Sequence, residues 1–340
     1  MKERLVFPGL KIDLVTQENF FSFIHAGGKP WHKNYLGMYS SQWRGATIDP
    51  ALMMIPADDH LVHRGDGVFD VMRCIEGSIY QMDGHLARLD RSAKAVFLPL
   101  PAEYPHLRDI IKEVTVLGGA KDCLIRVVLS RGPGSFAVNP SDCPETQLYI
   151  NIVGFKGIPE EAYQKGVSTC TSTIPIKKAF FATIKSCDYL PNVLMKIEAA
   201  ARGCAYPVSL DEDGFVAEGA TENIGIVTTD EMILFPDFQR TLAGTTAQRV
   251  YELAEELAAA GLIRGVAFSR IRPDEACKAK EMFLTGTSIN ILPVVAYDGK
   301  IIGTGRPGEA VKRLSAMLSK DMAENRELLT ELNWDGRGKV

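Results

Sequence analysis

The sequence predicts a mixed α/β protein of two domains, and three observations carry that prediction. The chain has 340 residues, roughly twice the length of a common domain and long enough to bury a sizeable core. Apolar runs of strand length, such as Cys123–Ser130, alternate with stretches of helical period, such as residues 85–97. Near the middle, residues 155–161 lose both periods. Residues 1–154 therefore read as a smaller N-terminal α/β domain, 155–165 as a linker and 166–340 as a larger C-terminal domain.

The elements follow in order. Residues 1–37 are weakly patterned, with Phe20-Phe-Ser-Phe and Gly27-Gly-Lys-Pro, and suit an arm or lid over a neighbour. From Met38 the text turns strand-like, and Asp58-Asp-His-Leu-Val-His-Arg-Gly-Asp-Gly-Val-Phe-Asp leads into a strand through Val71-Met-Arg-Cys. A helix from His85 presents Leu86, Leu89, Ala93, Val96 and Phe97 as one stripe, with Arg88 and Arg91 beside it, and Pro99 and Pro101 end it. A second amphipathic stretch covers 104–118, and residues 148–153 form another strand. Further on, Pro191 suits a first helical turn, Val193, Leu194, Ile197, Ala200 and Ala201 follow at helical spacing, and Gly203 supplies a left-handed stop. Residues 207–210 and 215–218 flank the turn Asp211-Glu-Asp-Gly as a hairpin. Gly244 precedes a helix stopped by Gly261, residues 281–284 and 291–297 read as strands, and a last helix starts near Glu309.

Charge and cysteine usage exclude several classes. With 38 basic and 42 acidic residues the net charge is −4, and no long run of either sign suggests nucleic acid or an anionic membrane. The first twenty residues intersperse charges through any apolar stretch, and no later run approaches spanning length, so the expectation is a cytoplasmic chain. Seven single cysteines without C-x-x-C pairing suit reduced, structural thiols, Cys187 included. His60 and His63 read as strand residues whose rings point to opposite faces, so no metal is expected. Gly303-Thr-Gly-Arg-Pro-Gly fits a dinucleotide fingerprint, but no second strand with a ribose-binding acid follows, so it reads as a loop.

Chemistry gathers between Ile184 and Val227. The hairpin can return Glu218, 33 residues on, beside Lys185. A lysine amine that captures a carbonyl, with an acid to keep a ring nitrogen protonated, is what pyridoxal phosphate chemistry requires. Lysines are abundant, and Lys177, Lys178 and Lys196 read as solvated charges. Gly244-Thr245-Thr246 before a helix offers free N–H groups, the positive dipole end and two hydroxyls to a phosphate.

Several motifs in sequence carry a resemblance: Lys185-Ser-Cys-Asp-Tyr-Leu-Pro-Asn-Val-Leu, Ser172-Thr-Ile-Pro-Ile-Lys-Lys and Glu281-Met-Phe-Leu-Thr-Gly-Thr-Ser. Over roughly residues 38–318 the chain resembles the class IV, or fold-type IV, aminotransferases: branched-chain aminotransferases, D-amino acid transaminases and aminodeoxychorismate lyase. Its wording is most similar to the plant-type D-amino acid transaminases. The resemblance implies pyridoxal 5'-phosphate between two domains, a homodimer, and transfer of an amino group from an amino acid to a 2-oxo acid. By the same resemblance Lys185 is the catalytic lysine, Glu218 the ring-nitrogen carboxylate, Tyr189 the partner of the phenolic oxygen, and Arg88 and Thr287 phosphate contacts.

The departures concern polar contacts near the cofactor and, above all, substrate. Asp188 stands where many members have Asn, and Asp70 where Glu is common. The Arg-x-His pair of bacterial D-amino acid transaminases is absent after Arg131, whereas Arg126 falls where branched-chain enzymes carry an arginine. Arg126, Arg131, Thr287 and Ser288 are the available carboxylate donors, and Phe69 an apolar wall. The expected reaction is transamination from a D-alanine-like donor. The alternatives are an L-branched-chain aminotransferase, an aminodeoxychorismate lyase using the same lysine, or a non-catalytic binding protein of the same fold.

Overall fold

A computed structural model of the chain describes residues 4–7 and 9–335. A hairpin of β1 (Arg4–Phe7) and β2 (Leu10–Asp13) and helix α1 (Phe20–Ala26) lead into the first sheet. That sheet holds β3 (Tyr35–Ser40), β4 (Gly45–Thr47), β5 (Gly67–Ile75), β6 (Ser78–Tyr80), β7 (Cys123–Ser130) and β8 (Gln147–Gly154). Helix α2 (His60–Arg64) precedes β5, while α3 (Met82–Ala95) and α4 (Leu107–Leu117) lie between β6 and β7. Alternation along β5 and β7 sends Val68, Met72 and Ile125 into one core with Leu89 of α3 and Ile111 of α4.

After α5 (Glu160–Lys165) comes a second, mixed sheet of β9 (Val167–Thr171), β10 (Tyr206–Val208), β11 (Asn223–Val227), β12 (Met232–Phe235), β13 (Gly265–Phe268), β14 (Glu281–Gly286), β15 (Asn290–Tyr297) and β16 (Lys300–Ile301). Its order is β10-β9-β15-β14-β11-β12-β13, with β16 added to β15. Helices α6 (Ala179–Ala182) and α7 (Leu190–Ala201) connect β9 to β10, and α8 (Thr245–Ala259), α9 (Pro273–Cys277) and α10 (Glu309–Glu324) follow. Val250 and Leu253 of α8 and Leu314 and Leu318 of α10 pack with Phe235 and Phe283 of the sheet. Among the described residues, no helix is long and apolar enough to cross a membrane.

The chain then returns to the first sheet. Strand β17 (Leu329–Glu331) pairs with β6 at its edge, giving the antiparallel order β17-β6-β5-β7-β8-β3-β4. Trp334 donates through Nε1 to the carbonyl of Gly77, 3.0 Å away. Gly77 has φ 89°, and a Cβ there would sit 2.7 Å from that nitrogen, so only glycine fits. A division into consecutive segments does not anticipate this return.

Other local expectations change. The stretch before β5 is a helix rather than a strand: Asp59 caps α2 by accepting from the Leu61 N–H at 2.9 Å, and Gly65 ends it with φ 65°. His60 and His63 thereby share a face, with ring centres 5.1 Å apart. Helix α3 stops at Ala95, and Phe97, with φ 51°, turns outward and is 87 % exposed instead of completing the stripe. The apolar spacing of α7 faces outward too. Met195 and Ala199 are its buried residues, while Leu190, Val193, Leu194 and Ile197 are exposed. The loop from Gly303 runs into a helix end already occupied by protein: Glu281 accepts from the N–H groups of Ala310 and Val311 at 3.0 and 2.9 Å.

Candidate active site

The connection from α6 to α7 is fastened to the first sheet. Phe69 N–H donates to the Lys185 carbonyl at 2.9 Å, Cys187 N–H to the Gly67 carbonyl at 2.8 Å, and Lys185 N–H to Ser92 Oγ at 3.2 Å. This short ladder leaves the Lys185 side chain free to reach Tyr189 Oη at 3.3 Å, with the Phe69 ring centre 4.8 Å away. Tyr189 meets Phe69 edge-on at 5.1 Å. Burial, and next the positive charge of Arg88, bring the Lys185 amine down to about 8 against the opposing pull of Asp70 and Glu218. An appreciable neutral fraction near physiological pH follows, as a nucleophilic amine requires.

Glu218 arrives by the predicted hairpin, whose legs exchange Ser209 N–H to Glu218 carbonyl at 2.8 Å and Asp211 N–H to Phe215 carbonyl at 2.8 Å. Its carboxylate accepts from the Leu242 N–H at 3.1 Å. Burial pushes it up to about 7, despite that bond and the charges of Lys185 and Lys177. Burial also raises the Tyr189 phenol.

On the other flank, Arg88, beside the stripe of its helix, is buried. Its Nε and Nη2 donate to the two Asp70 carboxylate oxygens at 2.8 and 2.7 Å, and Nη1 to the Ala243 carbonyl at 3.3 Å. His85 Nδ1 lies 2.7 Å from Asp70, and its Nε2 lies 3.4 Å from Thr245 Oγ1. Burial raises Asp70, but Arg88 and His85 outweigh it and hold the carboxyl well below the usual range. The cluster adjoins the start of α8, where Gly244 is the cap residue and Thr245 and Thr246 open the first turn, whose N–H groups have no partner within the helix. A Cβ on Gly244 would lie 2.0 Å from Asn223 Oδ1, and Asn223 Nδ2 donates to the Leu242 carbonyl at 2.7 Å. His85 and Asn223 are contributors missed in the sequence, and Asp70, noted there as a departure from the common Glu, is the acid that joins His85 to Arg88. Spacing does give a sign, since His85 and Arg88 are one helical turn apart and Asp70 is an acid within an apolar strand.

The carboxylate-donor candidates separate. The Arg126 guanidinium stacks 4.2 Å over the Phe69 ring and, among the described residues, has no carboxylate partner. Arg131 is committed elsewhere: Nε and Nη2 reach Asp66 at 3.1 and 3.0 Å, and the remaining donors bind the Val96 and Phe97 carbonyls. Thr287, half-buried, and Ser288, exposed, occupy the turn between β14 and β15. Arg73, not anticipated, reaches Asn290 beside that turn at 3.4 Å, and its Nε is buried without a partner among the described residues. Lys177 and Lys196 are not simply solvated: Lys177 donates to the Asp188 carbonyl, and Lys196 pairs with Glu222 at 3.2 Å.

The sequence profile of Amino-transferase class IV matches residues 67–297, which span this whole site. The chain belongs to the class IV aminotransferases. A D-amino-acid transaminase of Arabidopsis thaliana, named as chloroplastic, is 40% identical over 291 residues, 85% of this chain and 77% of the relative. A putative branched-chain-amino-acid aminotransferase of Methanocaldococcus jannaschii is 29% identical over 79% of this chain and 92% of its own. A branched-chain amino acid aminotransferase from the organism abbreviated T.th., solved with pyridoxamine 5'-phosphate, superposes with a TM-score of 0.80 at 28% identity, covering 87% of this chain and 98% of that one. As a class IV member the chain is a pyridoxal-phosphate-dependent aminotransferase, and the two-sheet arrangement is the fold-type IV architecture. The donor set suits that cofactor: a partly neutral amine, a carboxylate and phenol beside it, and an arginine with a helix end across the seam.

Proposed function

We propose that the protein transfers the amino group of a small D-amino acid, D-alanine or a close analogue, to a 2-oxo acid. The observation that carries the catalytic part is the Lys185 amine, brought to about 8 and set 3.3 Å from Tyr189. Bound pyridoxal phosphate supplies the aldehyde for covalent capture and a ring that accepts electrons. Lys185 is the residue that attaches it and then, released, carries the proton at the substrate carbon. Glu218 would hold the ring nitrogen protonated, Tyr189 the phenolic oxygen, and Arg88, Gly244, Thr245, Thr246 and Thr287 the phosphate.

Substrate preference is supported by the 40% identity to the plant D-amino-acid transaminase. Arg126, which has no carboxylate partner among the described residues, is the first-domain donor for a substrate carboxylate, with Thr287 and Ser288 opposite. Phe69 provides the apolar wall. That wall with Arg126 also favours a second reading, an L-branched-chain aminotransferase. The protein would act as a homodimer, for which the exposed stripe of α7, Leu190 at 65 % and Ile197 at 60 %, supplies an apolar face.

A donor panel of L- and D-amino acids with pyruvate and 2-oxoglutarate tests the substrate. Turnover of D-alanine is expected; turnover of L-leucine, L-isoleucine and L-valine without D-alanine would overturn the D-specific reading. Pyruvate release from aminodeoxychorismate without any 2-oxo acid would favour a lyase.

A further inference from the structure

A second amine enters the site from the segment before α6. Lys177 is half-buried and lines one cavity with Tyr189, Asn192, Ser209 and Glu218. Its ammonium donates to the Asp188 carbonyl, lies 3.4 Å from Ser186 Oγ and stands 5.1 Å from the centre of the Tyr189 ring. The Lys185 amine lies 5.9 Å from the same ring centre, so two lysines bracket one phenol. The four residues 186–189 are held on one side by the first sheet, through Gly67, and on the other by Lys177.

We propose that Lys177 is a positioning residue of the cofactor site, fastening residues 186–189 through the Asp188 carbonyl and placing a positive charge in the cavity it shares with Glu218. This rests on the reading of Lys185 and Glu218 given above. The groups facing Glu218 are few. Lys185 and Lys177 favour its charged form, as does the Leu242 N–H, while Glu222 opposes it and is itself paired with Lys196. The groups facing Lys177 are Asp188, Glu218 and the Cys187 thiol, all of which favour the ammonium, whereas burial works against it and lowers the amine from its ordinary value. Because burial has already brought Glu218 to about 7, the loss of one positive charge from the shared cavity shifts the carboxyl further toward its protonated form and weakens its hold on a ring nitrogen.

Three variants of the holoprotein separate fastening from charge. Lys177→Arg keeps both, Lys177→Gln keeps a donor without charge, and Lys177→Met keeps neither. The readouts are the rate of cofactor release on dilution and the pH midpoint of the cofactor's visible absorption. Lys177→Arg should resemble the parent. Lys177→Gln should move the midpoint upward by about one pH unit with release little changed. Lys177→Met should do the same and release cofactor about tenfold faster. A parent-like midpoint and release rate in Lys177→Met would overturn the proposal. Mapping the borohydride-fixed peptide of the parent keeps the two questions apart: label on Lys185 leaves the underlying reading intact, and label on Lys177 would overturn both.

Discussion

The two flanks of the seam treat charge in opposite ways. Around Arg88 every ionic group has a partner in contact: the guanidinium grips both oxygens of Asp70, and His85 closes on the same carboxylate. Around Lys185 and Glu218 the charges are half-buried and, among the described residues, make no ion-pair contact, and each is displaced toward neutrality, the amine to about 8 and the acid to about 7. A paired charge is fixed and can anchor, whereas an unpaired one changes protonation cheaply near neutral pH and can react. One fold thus builds an anchor and a proton carrier within electrostatic reach of each other, by granting or withholding a counter-ion.

The strongest way to break this contrast is to remove the reactive amine. Lys185→Ala should reduce turnover to background and abolish the absorption band that borohydride bleaches, with the anchor cluster intact. Peptide mapping checks it, and fixation of cofactor to another lysine in the parent would end the assignment.

On the anchor side, Asp70→Asn strips the counter-ion from a buried guanidinium. The expected loss is about 3–5 kcal/mol of stability, read by urea unfolding of the cofactor-free protein. Asp70→Asn with Arg88→Met should recover part of it, because no uncompensated charge remains. Equal losses in the single and double variants would show that the pair does not act as a unit.

Glu218→Gln should act in the opposite direction. A carboxyl raised from 4.5 to about 7 binds more protons folded than unfolded, so folding stability falls as the pH rises from about 4.5 to about 7. The cofactor-free Gln variant should therefore be more stable than the parent above pH 7, by up to about 3 kcal/mol, and the gain should vanish below pH 4.5. A pH-independent difference would mean that burial does not govern this group.

Much of this geometry was legible, and most of what was not shares a cause. Lys185 before a helix, the hairpin carrying Glu218, and Gly244 opening α8 are set by local chemistry: the proline at 191, the turn at Asp211 to Gly214, the glycine stops. What the sequence did not show depends mostly on partners far along the chain. Arg88 is buried because Asp70 waits on a strand, and Arg131 is diverted by Asp66. The α7 stripe has the right period but the wrong face, since periodicity says that a surface is covered and not by what. At α2 the cause is local: the Asp59 cap and the left-handed Gly65 close a short helix ahead of β5.

The smallest expected effects come from the two arginines of β7 and its following loop, which repeat the contrast on a surface scale. Arg131 is paired, so Arg131→Gln should leave Asp66 with His60 alone and cost about 1 kcal/mol of stability, leaving KM near the parent value. Arg126 stacks on Phe69 and, among the described residues, has no acid to release, so Arg126→Gln should leave stability within about 0.5 kcal/mol. If the substrate carboxylate is its partner, KM should rise about tenfold or more, the scale of one charge-assisted hydrogen bond. Thermal unfolding and steady-state kinetics on both variants give the comparison directly. A rise in KM for Arg131→Gln with none for Arg126→Gln would exchange their roles, and would mean that the Asp66 pair opens when substrate enters.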